Sequence, residues 1–169
     1  DVYKRQEQEP TFVPILSGAS TSMYASLDNI YLAMVCADKT VLYRIHVEDG
    51  EISDAVDGEV RGTVLNQFSM DEYKGYLRIA TTSYPLQNNV YILNMNLEVV
   101  GVLENIAPTE TFHSARFMGD TCYLVTFRKV DPFFVIDLSD HTDPKILGEL
   151  KITGYSDYLH LYDETHVIG

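Results

Sequence analysis

The pair Tyr-Leu opens an alternating apolar run three times, at Tyr31-Leu32, Tyr76-Leu77 and Tyr123-Leu124. The runs read YLAMV, YLRIA and YLVTF, spaced 45 and 47 residues apart, and a shorter echo at His166-Val167 follows 43 residues later. A second run trails each of the three: VLYRIH from Val41, NVYILNM from Asn89 and FFVIDLS from Phe133. Such alternation, rich in Tyr and β-branched residues, marks strands, because successive strand side chains point to opposite faces. One sheet of this kind cannot bury both of its faces alone, so the repeats must stack on one another.

A repeat of about 40–50 residues built from strands and turns is the period of a propeller blade. The fold expected is all-β, a partial β-propeller of three four-stranded antiparallel blades plus the first half of a fourth. The blades are expected over 21–66, 67–110 and 111–156, with the partial blade over 157–169. In the third repeat, FHSARFMGD, TCYLVTFR, FFVIDLS and KILGELKI read as four strands, with turn chemistry at Gly119-Asp120 and over 140–144. The second repeat lays out alike, with its first turn at Lys74-Gly75. In the first repeat the acidic run EDGEISDAVDGE (48–59) reads as a solvated loop between the third and fourth strands.

Propellers close with about four to eight blades, so a chain of 169 residues is expected to be a piece of a longer ring with raw sheet faces at its ends. Residues 7–20, broken by Pro10, Pro14 and Gly18, are expected to end a preceding blade or to serve as a linker. The opening hexapeptide DVYKRQ (1–6) resembles the translation of a transposase adapter used in preparing sequencing libraries, and is set apart from the fold.

The net charge of −13 opposes phosphate backbones and anionic lipid heads, so nucleic acid is not an expected partner. No run approaches the ~20 apolar residues of a membrane span, which leaves attachment only through an anchor outside these residues. Cys36 and Cys122 fall at opposite ends of equivalent strands in non-adjacent repeats, too far apart for a disulfide, and both are expected to be buried thiols.

Chemistry-bearing patterns are sparse. The five histidines never fall at helical metal-site spacing, no CxxC occurs, and no cofactor is expected. The 48–59 run lacks the Asp-x-Asp-x-Asp-Gly order of a calcium loop. There is no GxSxG elbow and no catalytic residue is assigned. Asp71-Glu72-Tyr73 reads as the end of a first strand holding the Lys74-Gly75 turn, and Arg78 as the cross-strand partner of a carboxylate. A binding face is the better candidate. Loops joining fourth to first strands, and second to third, gather on one face of such blades. They bring Gln67, Tyr84, Arg128, Lys129, Asp131 and Tyr155, with His113 just inside, and their rings and positive pair suit an acidic or carbohydrate ligand.

The runs QFSMDEYKGYLRIATT (67–82), SARFMGDTCYLVTFRKVDPFFVIDLSD (114–140) and LGELKITGYSDYLHLYDE (147–164) occur in order at matching separations. Over residues 16–169 the chain resembles the secreted bacterial and archaeal β-propeller proteins distantly related to WD40 repeats. The resemblance implies an exported or membrane-anchored protein outside the cytoplasm and brings no catalytic residues. The function expected is a non-enzymatic binding or scaffold module that presents its loops to a protein or cell-envelope partner. The alternative is a hydrolase or lyase of envelope polymers with its catalytic residues in other blades.

Overall fold

The structure, a computed structural model, describes residues 21–127, 131–152, 159–163 and 166–168. The segments 1–6 and 7–20 fall outside these residues. Strands β1 (Thr21–Ala25), β2 (Asn29–Cys36), β3 (Lys39–Glu48) and β4 (Glu51–Arg61) form the first four-stranded antiparallel meander. The second contains β5 (Thr63–Val64), β6 (Met70–Tyr73), β7 (Tyr76–Ser83), β8 (Gln87–Leu93) and β9 (Val99–Ile106). The third is β10 (Thr111–Met118), β11 (Thr121–Phe127), β12 (Asp131–Asp137) and β13 (Lys145–Ile152), and the hairpin β14 (His160–Leu161) with β15 (Val167–Ile168) begins a fourth. The chain is thus all-β, a partial β-propeller.

Turn chemistry sets where the strands reverse. Lys74 and Gly75 both take positive φ, 51° and 77°, the conformation of the two-residue hairpin turn whose twist matches its flanking strands. Asp49 and Gly50 do the same at 51° and 82°. This Asp-Gly turn corrects the expectation of an acidic loop over 48–59. Glu51–Arg61 is a strand, paired with β3 from Glu48↔Glu51 to Lys39↔Arg61. An outer strand wets one face, and Glu51, Asp57 and Glu59 lie exposed while Val60 is buried.

Strands β5 and β6 both pair with β7, so together they make one interrupted first strand. The interruption is a single 3-10 turn, Gln67–Ser69, capped by Asn66, whose side-chain oxygen accepts from the Phe68 N–H at 2.9 Å.

The Tyr-Leu repeat is explained by the way the sheets stack. One core joins the first and second sheets through Tyr31, Ala33, Leu42, Leu77, Ile79 and Tyr91. The other joins the second and third through Ala80, Val90, Ile92, Phe117, Cys122 and Leu124. In the second strand of a sheet the Leu therefore faces the preceding sheet and the Tyr the following one. Leu77 and Leu124 are wholly buried against their predecessors. Tyr31 donates its hydroxyl to Glu72 of the second sheet at 2.7 Å, and Tyr76 lies 4.1 Å, ring to ring, from His141 of the third. Burial of such rings and aliphatic side chains stabilises each by about 1.5–3 kcal/mol, which makes the inter-sheet contacts the main source of cohesion.

Cys122 is buried, and loss of hydration pushes its thiol up to about 12. Cys36 is exposed, which corrects its placement in the core: it is the last residue of β2, where the strand's burial ends. Both thiols are free. Among the described residues no helix is long and apolar enough to cross a membrane.

Candidate functional site

The first strands of the three sheets lie side by side, and they enclose a groove of about 450 Å³. Met23, Tyr24 and Ala25 come from β1, Met70 and Asp71 from β6, Arg116 and Phe117 from β10. Gln67 and Phe68 enter from the 3-10 turn that interrupts the second sheet's first strand. That interruption tips the Phe68 ring outward, leaving it 38% exposed, while Ser69 turns fully inward.

Most of the lining is apolar, and its polar groups are held in place. The Arg116 guanidinium stacks 4.1 Å over the Phe68 ring, and its Nε donates to the Leu159 carbonyl at 2.7 Å. This contact ties the groove to the start of the fourth sheet. On the opposite wall Asp71 accepts from Arg78 Nε at 3.1 Å. Arg78 is buried to 1% exposure and also donates to the Gly119 carbonyl, with the rings of Tyr73 and Phe117 4.8 and 5.2 Å from its guanidinium. The cross-strand carboxylate expected for Arg78 is therefore Asp71, its register partner. Tyr24 is half-buried, and loss of hydration raises its phenol above the usual range.

Behind the groove, Glu72 binds the second sheet to the first. Its Oε2 accepts from Ser26 Oγ at 2.7 Å, Asn29 Nδ2 at 3.0 Å and Tyr31 Oη at 2.7 Å. The Tyr24 hydroxyl accepts from the Glu72 N–H at 3.0 Å. The Asp71-Glu72 pair thus faces two ways, Asp71 to Arg78 and Glu72 to the first sheet. Glu72 joins two sheets, while Asp71 joins neighbouring strands of one.

Of the residues singled out in the sequence, Gln67 lines the groove. Tyr84 lies elsewhere. Its N–H donates to Asp38 Oδ1 at 3.0 Å and its carbonyl accepts from Arg61 at 2.9 Å, while its ring is 80% exposed. His113 is half-buried on β10 at a register shift, a β-bulge between Phe112 and Ser114. Arg128, Lys129 and Tyr155 fall outside the described residues. Phe68 and Arg116 were missed, because the groove assembles side chains from three repeats that no local spacing connects. Among the described residues no group of three or more His, Cys, Asp and Glu side chains could hold a metal ion.

The chain matches the model of the beta propeller domain family over residues 2–169. It is 53% identical over 110 residues to an uncharacterized protein of Archaeoglobus fulgidus, covering 65% of this chain and 18% of that protein. It is 45% identical over 136 residues to an uncharacterized protein of Methanocaldococcus jannaschii, covering 77% of this chain and 21% of that one. The chain thus spans about a fifth of the length of the curated relatives it matches.

Proposed function

The chain belongs to the beta propeller domain family, and from that premise we propose that it is a non-enzymatic binding module of a larger extracytoplasmic propeller related to WD40 repeats. Its ligand is a protein or cell-envelope component that offers an apolar side chain to the groove. The observation that carries this reading is the outward Phe68 ring, clamped under Arg116 where three first strands meet. A half-exposed aromatic on a rigid framework is the kind of anchor on which binding energy concentrates. Among the described residues no group of three or more His, Cys, Asp and Glu side chains offers the hydrolase or lyase alternative a metal centre. The extracytoplasmic setting is supported by the resemblance to secreted propellers.

Replacing Phe68 with a photo-crosslinking phenylalanine analogue tests the groove. Irradiation with envelope extract of the source organism is expected to yield a defined adduct that disappears in Arg116→Ala. The same analogue at Tyr84 is expected to give none. A chain that crosslinks through position 84 and not through 68 places recognition on the loop face instead. Protease accessibility in intact cells, cell wall removed, tests the location: a propeller protected until the membrane is broken would overturn it.

A further inference from the structure

The groove is lined by backbone as well as by side chains. In an antiparallel pair, residues that bond across the ladder alternate with residues whose N–H and C=O point away from it. The Ser26 N–H donates to the Asn29 carbonyl at 2.9 Å, which makes 26 and 29 a bonded pair. Counting back along the register, Tyr24↔Tyr31 and Ser22↔Ala33 bond, while Met23↔Leu32 and Ala25↔Ile30 do not. The far side of β2 agrees. There the Val47 N–H donates to the Asp28 carbonyl, so that Ile30, Leu32 and Met34 bond to β3. Met23 and Ala25 therefore turn their N–H and C=O groups to the open edge of β1. Both residues line the groove, and among the described residues β1 pairs with β2 alone.

The other two first strands offer less. By the same count from the Lys74-Gly75 turn, Met70 and Glu72 point their backbone groups away from β7. Their N–H groups are taken, that of Met70 by the Gln67 carbonyl and that of Glu72 by the Tyr24 hydroxyl. β10 brings one such residue to the lining, Phe117, which lies opposite Cys122 next to the bonded pair at the hairpin turn. Among the described residues β1 is thus the strand that brings two rungs to the groove, Met23 and Ala25, about 7 Å apart. A sheet stacked on the first would cover a face. This edge lies in the plane of its sheet, on the side of the other first strands.

We propose that the groove takes an extended peptide segment of a partner protein, which adds to the edge of β1 through Met23 and Ala25. This rests on the reading of the groove as a binding site and names the chemistry of its ligand. An extended chain carries donors and acceptors at the spacing of alternate strand residues, whereas an acyl chain has neither. Directly opposed side chains in a sheet share a face, and Tyr24 reaches from β1 to the second sheet. The peptide residue opposite Tyr24 therefore projects to the side where Phe68 and Met70 lie, and is apolar. Its two neighbours project to the other face and are unrestricted. A groove of about 450 Å³ is the size of a small-ligand site and suits a short segment rather than a folded domain.

Amide exchange followed by NMR tests this, with an acetylated and amidated pentapeptide as probe, one phenylalanine between pairs of threonines. At about 10 mM the probe fills a site of about 1 mM affinity and slows exchange roughly tenfold at the groups it bonds. The Met23 and Ala25 N–H groups are expected to slow at least fivefold. The N–H of Leu27, in the exposed turn beyond β1, should keep its rate. Ala25→Pro removes one rung without touching a ladder bond, and is expected to weaken the probe at least tenfold, read from the shift of the Phe68 resonances. If that variant does not fold, the exchange rates of the unaltered chain decide alone. Benzyl alcohol at the same concentration has an aromatic ring and no backbone, and is expected to shift Phe68 without slowing either amide. Phe68 shifts with the peptide while Met23 and Ala25 exchange as before overturn the added strand and leave the groove reading standing. Phe68 resonances that move with neither probe overturn both.

Discussion

The Tyr31 hydroxyl and the Glu72 carboxylate meet at 2.7 Å across the boundary between the first two sheets, on an oxygen that Ser26 and Asn29 also contact. Tyr31 is wholly buried, so removing its hydroxyl deletes a charge-assisted bond without opening a cavity. Tyr31→Phe is expected to destabilise the chain by about 1.5–3 kcal/mol, the range for hydrogen bonds to charged groups. Glu72→Ala should cost more, since it strands three donors at once. Urea unfolding of the two variants checks the order.

Arg78 and Asp71 join neighbouring strands of one sheet, but Arg78 also reaches the Gly119 turn of the next. Asp71→Ala leaves a guanidinium at 1% exposure with its charge unanswered, and is expected to cost about 3 kcal/mol. The double variant Asp71→Leu with Arg78→Met should recover much of that loss, because no buried charge remains. A double variant no more stable than Asp71→Ala, measured by urea midpoint, would show that the Gly119 contact matters more than the charge pair.

Gly101 carries the His141 backbone, which cannot swing aside as a flexible side chain would. Gly101→Ala is therefore expected to destabilise by about 1–3 kcal/mol through overpacking. Gly148→Ala, in open space and at a negative φ, should be neutral or slightly stabilising. Differential scanning calorimetry of the pair separates a glycine covered by backbone from one in open space.

Alkaline pH should loosen the core from the inside. Burial raises the Tyr31 phenol, and raises Tyr91 and Cys122 each to about 12 from ordinary values of 10.0 and 9.0. Groups whose folded pKa is raised bind their protons more tightly when folded. Their contribution is thus complete below the unfolded values and is lost as pH climbs through the folded ones. Tm is expected to hold to about pH 9 and then fall steadily toward pH 12. Cys122→Ala should delay the onset of the decline, at some cost in stability at neutral pH.

The strands with clear alternation were legible in the sequence: the Tyr-Leu runs became β2, β7 and β11, and Lys74-Gly75 became the tight turn its composition indicates. β4 was hidden because its exposed face is acidic, so charge density masked a period of two. β5 has two residues and no period at all. Cys36 failed for a different reason: its neighbours repeat the pattern of buried positions, but the strand ends there. The groove was beyond local reading. Gln67 entered the argument through its place between sheets, while Phe68 and Arg116, 48 residues apart, acquire meaning only when the sheets are stacked.

The two-residue turn at Asp49-Gly50 also sets how far the first sheet reaches. The second and third sheets carry their longer turns, 94–98 and 138–144, over Gly58 and Gly101 of the sheets before them. The first sheet reverses in place. The outline of a blade is thus written in the length of one turn, and lengthening Asp49-Gly50 is expected to reshape the margin of the first sheet while leaving the pairing of its strands untouched.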